Sequence, residues 1–130
     1  RKGVRFMKAQ ETASLSASAI RYLLVIHSFS IDGGGVRSAV IADRIGVSRP
    51  SVHKMMESLG KAGLIHKNGY GAVFLTEEGE RMAGLYENCY TRLKVRLADL
   101  LPEDTDFSQA ACMLLSVLTP DGLHRMESEG

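Results

Sequence analysis

The stretch "ADRIGVSRPSVHKMMESLGKAGL", residues 42–64, constrains the fold more than any other. It holds two helical patterns separated by three residues. The first runs from Arg37 to Ile45 with Ile41 and Ile45 on one face, and Gly46 stops it, as glycine after a helix commonly does. Ser48 then offers a hydroxyl to an unpaired first-turn amide, and Pro50 falls where a missing N–H costs nothing. Val52, Met55, Met56 and Leu59 follow at steps of three, one and three, which makes them the inward stripe. Arg49, Ser51, His53 and Lys54 are left facing outward near the helix start. Gly60 and Gly63 close the helix.

The flanks complete a recognisable order. Leu15, Ala19, Tyr22, Leu23 and Ile26 recur at helical spacing over Thr12 to Ser28, and the three glycines of "SIDGGGV" end that helix in a flexible loop. Behind the second helix, "LIHKNGYGAVFL" places two short apolar runs on either side of Asn68-Gly69. An Asn-Gly pair predicts a hairpin with a type I′ turn, because both central positions then need positive φ. Thr76 caps a long helix whose first turn carries Glu77, Glu78 and Glu80, and Met82, Leu85, Cys89, Leu93, Leu97 and Leu100 mark its apolar face. Pro102 ends it; Phe107 to Leu118 is another apolar helix and "TPDGLHRMES" starts a last one. Helix, helix, turn, helix, hairpin is the winged form of the helix-turn-helix. The expected fold is therefore mainly α: residues 12–75 as a winged helix-turn-helix with a small β-hairpin wing, and residues 76–130 as a helical dimerisation region.

Composition narrows the function classes. A chain of 130 residues, 45% hydrophobic and 24% charged, is ordinary for a globular protein. No apolar run approaches the ~18–20 residues that span a bilayer, and no secretory signal is visible, so a cytoplasmic protein without membrane partners is expected. Two cysteines make no disulfide framework. "DGGGV" lacks the lysine and the strand–helix setting of a phosphate loop, and no nucleophile–base arrangement or carboxylate pair stands out, which argues against an enzyme. The charge is unevenly spread: Arg37 to Tyr70 holds six basic residues and two acidic ones, whereas Thr76 to Ala110 holds eight acidic and four basic. A basic centre beside an acidic half points to an anionic partner for the centre alone, against the plainer reading of scattered solvated charge.

Double-stranded DNA is the partner this pattern fits. In a helix-turn-helix the second helix enters the major groove N-terminus first. Arg49 can reach guanine O6 and N7 together, Ser48, Ser51 and His53 can donate or accept, and the Pro50 ring can touch a thymine methyl. Lys54 suits a phosphate, as do Arg37 and Ser38 at the start of the preceding helix and Lys67, Asn68 and Tyr70 in the wing. Winged helices also dock proteins, so the fold alone does not fix the role.

Residues 36–83, "VRSAVIADRIGVSRPSVHKMMESLGKAGLIHKNGYGAVFLTEEGERMA", resemble the diphtheria-toxin-repressor family of metal-dependent transcriptional regulators, and among them the manganese-responsive branch. The trailing "AACMLLSVLTPDGLHRM" sits where that family has its second dimer-forming helix, so the likeness runs from about Ser18 to Met126. The resemblance implies a homodimeric repressor on a palindromic operator, with divalent Mn or Fe as corepressor. Its ligand positions fall here on Ser18 and Arg21 in the first helix, Tyr90 in the long helix, and Cys112, Leu115 and Ser116 near the end. Of these only Cys112 keeps a metal donor. Mn²⁺ and Fe²⁺ need several converging carboxylates and imidazoles, so the expectation is a lost corepressor site, with Arg21 supplying a fixed positive charge in the cation's place.

Other donors read more simply as structure: His27 as a packed histidine, Cys89 as core or dimer interface, His124 with Glu127 as two donors too few for a metal. Two rival readings stay open. One is a small-ligand-responsive regulator of the multiple-antibiotic-resistance type; the other is a winged-helix module that binds protein and not DNA.

Overall fold

The computed structural model describes residues 15–30 and 33–129. Helix α1 runs Ala17–Phe29, and the expected start at Thr12 lies outside the described residues. Strand β1 is Val36–Arg37, α2 is Ser38–Ile45 and α3 is Arg49–Lys61. Strands β2 (Ile65–Lys67) and β3 (Ala72–Leu75) form the hairpin. Helix α4 (Glu77–Leu100), α5 (Phe107–Ser116) and α6 (Pro120–Ser128) complete the chain. Two compact units result: Ala19–Gly84, and Leu85 onward with the described residues before Ala19.

In the first unit the local signals act as written. Gly46 closes α2 in the left-handed conformation at φ 83°, with its N–H bonded to the Ala42 carbonyl. Ser48 caps α3 by accepting from the Ser51 N–H at 3.2 Å, and Pro50 sits in the first turn. Val52, Met56 and Leu59 are fully buried, with Met55 half-buried beside them. With Ile20, Leu23, Ile26, Ile41 and Val73 they make the core, each side chain contributing ~1.5–3 kcal/mol through burial. Thr76 caps α4, its hydroxyl oxygen accepting from Gly79 N–H at 3.0 Å while donating to the Gly63 carbonyl at 2.6 Å.

The wing departs from expectation twice. The sheet has three strands, not two, in the order β1-β3-β2, all antiparallel, with Val36 opposite Val73 and Ile65 opposite Leu75. Arg37, expected to begin a helix, instead ends β1 and precedes α2 in extended conformation. The turn is also not type I′: Gly71, not Gly69, takes the left-handed conformation, at φ 83°. Asn68 N–H bonds to Ala72 O and Gly71 N–H to Asn68 O, which is a three-residue loop ending in a glycine bulge. The Asn68 side chain selects this form by accepting from both Tyr70 N–H (2.9 Å) and Ala72 N–H (3.0 Å).

In the second unit, Leu85, Tyr86, Cys89, Ala111, Cys112, Leu115 and Leu123 are buried together. The Cys89 thiol donates to Leu123 O at 3.3 Å. The apolar face of α4 leaves the core halfway along: Leu93 and Leu97 are half-buried and Leu100 is 77% exposed. Val95, Leu101, Met113, Leu114 and Val117 add to this uncovered apolar surface. No helix among the described residues is long and apolar enough to cross a membrane.

Candidate nucleic-acid interface

The first turns of α3 present Arg49, Pro50, Ser51, His53 and Lys54, all exposed, directly after exposed Ser48. Among the described residues neither Arg49 nor Lys54 has an internal hydrogen-bond or ion-pair partner, so both charges are available to a ligand. Ser48 and Ser51 are less available: their hydroxyls bond each other at 3.0 Å while Ser48 also caps the helix. The local sequence explains the arrangement. Burial of Val52, Met56 and Leu59 fixes one side of α3 inward, which turns Pro50, Ser51 and Lys54 outward and sets His53 on the flank, while Arg49 is exposed because it is the first residue of the helix.

The hairpin brings a second group of cations to this face. Lys67 Nζ lies 3.4 Å from His53 Nδ1, joining the wing to α3. Arg37 donates from Nη1 to the Tyr70 carbonyl at 3.2 Å, holding the loop from the side of β1. Tyr70 projects from the loop and is 83% exposed. The structure thus gathers Ser48, Arg49, Pro50, Ser51, His53 and Lys54 with Lys67, and ties Arg37 to Tyr70. Asn68 stands apart in role, its side-chain oxygen already engaged by the turn. Ser38 is half-buried at the start of α2.

The sequence left the two wing contacts unread. The signal for the first was the placement of Lys67 directly before a hairpin turn, which can fold its chain back toward α3. Nothing in the sequence marked the second, because the partner of Arg37 is a backbone carbonyl.

The metal-ligand positions implied by the resemblance form no site for Mn²⁺ or Fe²⁺. Ser18 and Arg21 are exposed, and Arg21 is a cation. The Tyr90 hydroxyl bonds Ser108 Oγ at 2.8 Å, and Lys94 holds its ammonium 5.1 Å from the Tyr90 ring centroid. Cys112 and Leu115 are buried, and Ser116 donates to its own helix at Met113 O. No group of three His, Cys, Asp or Glu side chains converges among the described residues. His124 and Glu127 are 3.9 Å apart and exposed, an i,i+3 pair on α6. One thiol among hydroxyls is the wrong donor set for a hard divalent cation.

A helix-turn-helix with a three-stranded wing defines the winged-helix fold. Residues 14–73, a little under half of the chain, match the family "Iron dependent repressor, N-terminal DNA binding domain". It is 40% identical over 62 residues to the transcriptional regulator MntR of Salmonella typhimurium, covering 48% of this chain and 40% of that protein. The chain thus spans well under half the length of the relatives it matches. Among solved structures it is similar to the manganese regulator SloR (TM-score 0.70, 21% identity, 85% of this chain and 52% of that one). It is likewise similar to IdeR of T. acidophilum (TM-score 0.62, 20% identity, 85% and 52%). At these identities the structural matches establish the fold.

Proposed function

We propose that the protein is a cytoplasmic, homodimeric transcriptional repressor that reads a palindromic operator through α3. The carrying observation is the exposed set Arg49, His53 and Lys54 on α3 with Lys67 folded onto it from the wing. Arg49 serves as the guanine reader, Pro50 meets a thymine methyl, and Lys54, Lys67 and Arg37 hold phosphates. Two copies would set two α3 helices about one DNA turn apart. The occupant of the uncovered apolar surface on the second half of α4 and on α5 is a second copy of this chain. That reading is supported by the apolar stripe of α4, which continues past the point where this chain's own core ends. Because the implied ligand positions do not fit Mn²⁺ or Fe²⁺, the repressor works without that corepressor.

The test is fluorescence anisotropy with duplex DNA from the protein's own promoter region, in chelator and then with Mn²⁺, Fe²⁺ or Zn²⁺, at two salt concentrations. Binding that ignores metal is expected. Six phosphate-holding cations per dimer give a log–log salt slope of about −5. Binding that appears only with metal would restore the family mechanism, and no salt-sensitive binding to any duplex would remove the DNA reading.

One observation favours a second reading, the small-ligand-responsive regulator. An open groove of about 440 Å³ in the second unit is lined by Thr91, Arg92, Val95, Arg96, Met126 and Glu129. Its size falls in the range of small-molecule sites. Release of DNA by an anionic aromatic compound, abolished by Arg96→Ala, would favour it.

A further inference from the structure

The contact between the wing and α3 dictates a protonation pattern. An ammonium carries three donors and no acceptor, so Lys67 Nζ at 3.4 Å from His53 Nδ1 is attractive only when Nδ1 accepts. A neutral imidazole that accepts at Nδ1 carries its proton on Nε2. His53 is exposed, one helical turn beyond Arg49 and on the same side of α3. Among the described residues its Nε2 has no hydrogen-bond partner. The outer edge of the ring is therefore a donor, and it stands where a helix of this kind meets base edges.

We propose that His53 is a base-selecting residue and that Lys67 is the positioning residue which fixes its sign. With the proton on Nε2, the ring offers an N–H to the major groove. That group bonds guanine O6 or N7, thymine O4 or adenine N7, and is mismatched against cytosine, whose major-groove edge offers only the N4 amino donor. With the proton on Nδ1 instead, Lys67 would be repelled and Nε2 would accept, so the preference would reverse toward the amino bases. The wing thus does more than hold a phosphate. Through one side chain it decides which bases the helix reads. The inference rests on the DNA reading above.

Two measurements test it. The first needs no DNA: side-chain nitrogen NMR of the free protein, at a pH where the imidazole is neutral, shows His53 as the Nε2–H form in the wild type. Lys67→Met gives a mixture of forms. A wild-type ring protonated on Nδ1 would overturn the proposal while leaving the DNA reading intact. The second is selection from a duplex library randomised across a half-site. The wild type should prefer G, T or A over C at one position by about fivefold, the worth of one neutral hydrogen bond. His53→Ala should erase that preference alone. Lys67→Met should weaken it together with overall affinity, and Lys67→Arg should keep it. A Lys67→Met protein that binds every sequence less tightly with its preferences unchanged would reduce Lys67 to a phosphate contact and overturn the assignment. If the wild type selects no sequence and binds no duplex, the DNA reading itself has failed, and the His53 proposal with it.

Discussion

Replacing either of two glycines of α4 by alanine should change stability in opposite directions. Alanine is the better helix former by about 1 kcal/mol, and at Gly84 a Cβ meets nothing within 4 Å. Gly84→Ala should therefore stabilise by ~0.5–1 kcal/mol. Gly79 lies five residues earlier in the same helix, but its α-carbon rests against the chain at Leu64. A Cβ there would overlap the Leu64 carbonyl oxygen and come within 2.9 Å of the carbonyl carbon. That obstacle is backbone and cannot rotate away, so α4 must move off. Movement would stretch two bonds that fix this corner, Thr76 N–H to Leu64 O at 3.0 Å and Thr76 Oγ to Gly63 O at 2.6 Å. Each is worth about 1 kcal/mol. Overpacking strain adds ~1–3 kcal/mol. After subtracting the helix-propensity gain, Gly79→Ala should destabilise by about 2–4 kcal/mol. Urea unfolding followed by far-ultraviolet circular dichroism, at one fixed protein concentration, gives both values, provided the slope is unchanged. A Gly79→Ala protein as stable as the wild type would refute the reasoning, because it would mean that the α4–Leu64 approach is not a packing constraint.

Four further outcomes follow from the geometry. Arg49→Ala should cost ~1–3 kcal/mol of specific DNA affinity and relax one base position, whereas Lys54→Ala should weaken all sequences alike and flatten the salt slope; competition titrations separate the two. Ser48→Ala removes the acceptor for Ser51 N–H and should lower stability by about 1 kcal/mol in urea titration, with secondary structure unchanged. Val117→Asp, on the 75% exposed end of the apolar surface, should shift sedimentation from dimer to monomer at micromolar concentration. Burial pushes the Cys89 thiol and the Tyr86 hydroxyl above their ordinary values, so the folded chain holds these protons more tightly than the unfolded one. Their contribution is complete below the ordinary thiol range of about 8.5 and is lost as pH climbs through the raised values. Urea midpoints should accordingly fall from pH 8 upward, and Cys89→Ala should delay the fall.

The helix-turn-helix was legible because each of its boundaries rests on a local signal: Gly46, the Ser48 hydroxyl and Pro50 each act within one turn of themselves. What the sequence hid depends on partners far along the chain. Strand β1 is two residues long, too short for any alternation, and exists only because β3 is there to pair with it. The Asn-Gly pair announced a hairpin correctly, but the turn class was decided by competition: "NGYG" offers a second glycine, and the Asn68 side chain bonds two amides in the longer loop. Periodicity along α4 showed which face is apolar without showing where its cover stops, since that is set by α5 and α6. At the site, residue types and their outward placement were readable from helical spacing. The Lys67–His53 and Arg37–Tyr70 contacts were not, because they require the hairpin to be docked first.

The strand order β1-β3-β2 also sets a schedule for folding. The hairpin pairs Ile65 with Leu75 across a short loop and can zip in ~1–10 μs. Val36 finds Val73 only after the whole helix pair between them has closed a far longer loop. The bearing of the wing is therefore decided late, by a two-residue seam that comes before the helix-turn-helix in the chain. Replacing Val36 by proline and Arg37 by alanine would keep α1 in the core and leave the hairpin able to form and α3 able to fold, yet weaken the seam and remove the guanidinium on the Tyr70 carbonyl. Such a protein would keep its reading helix and lose the alignment of the wing beside it.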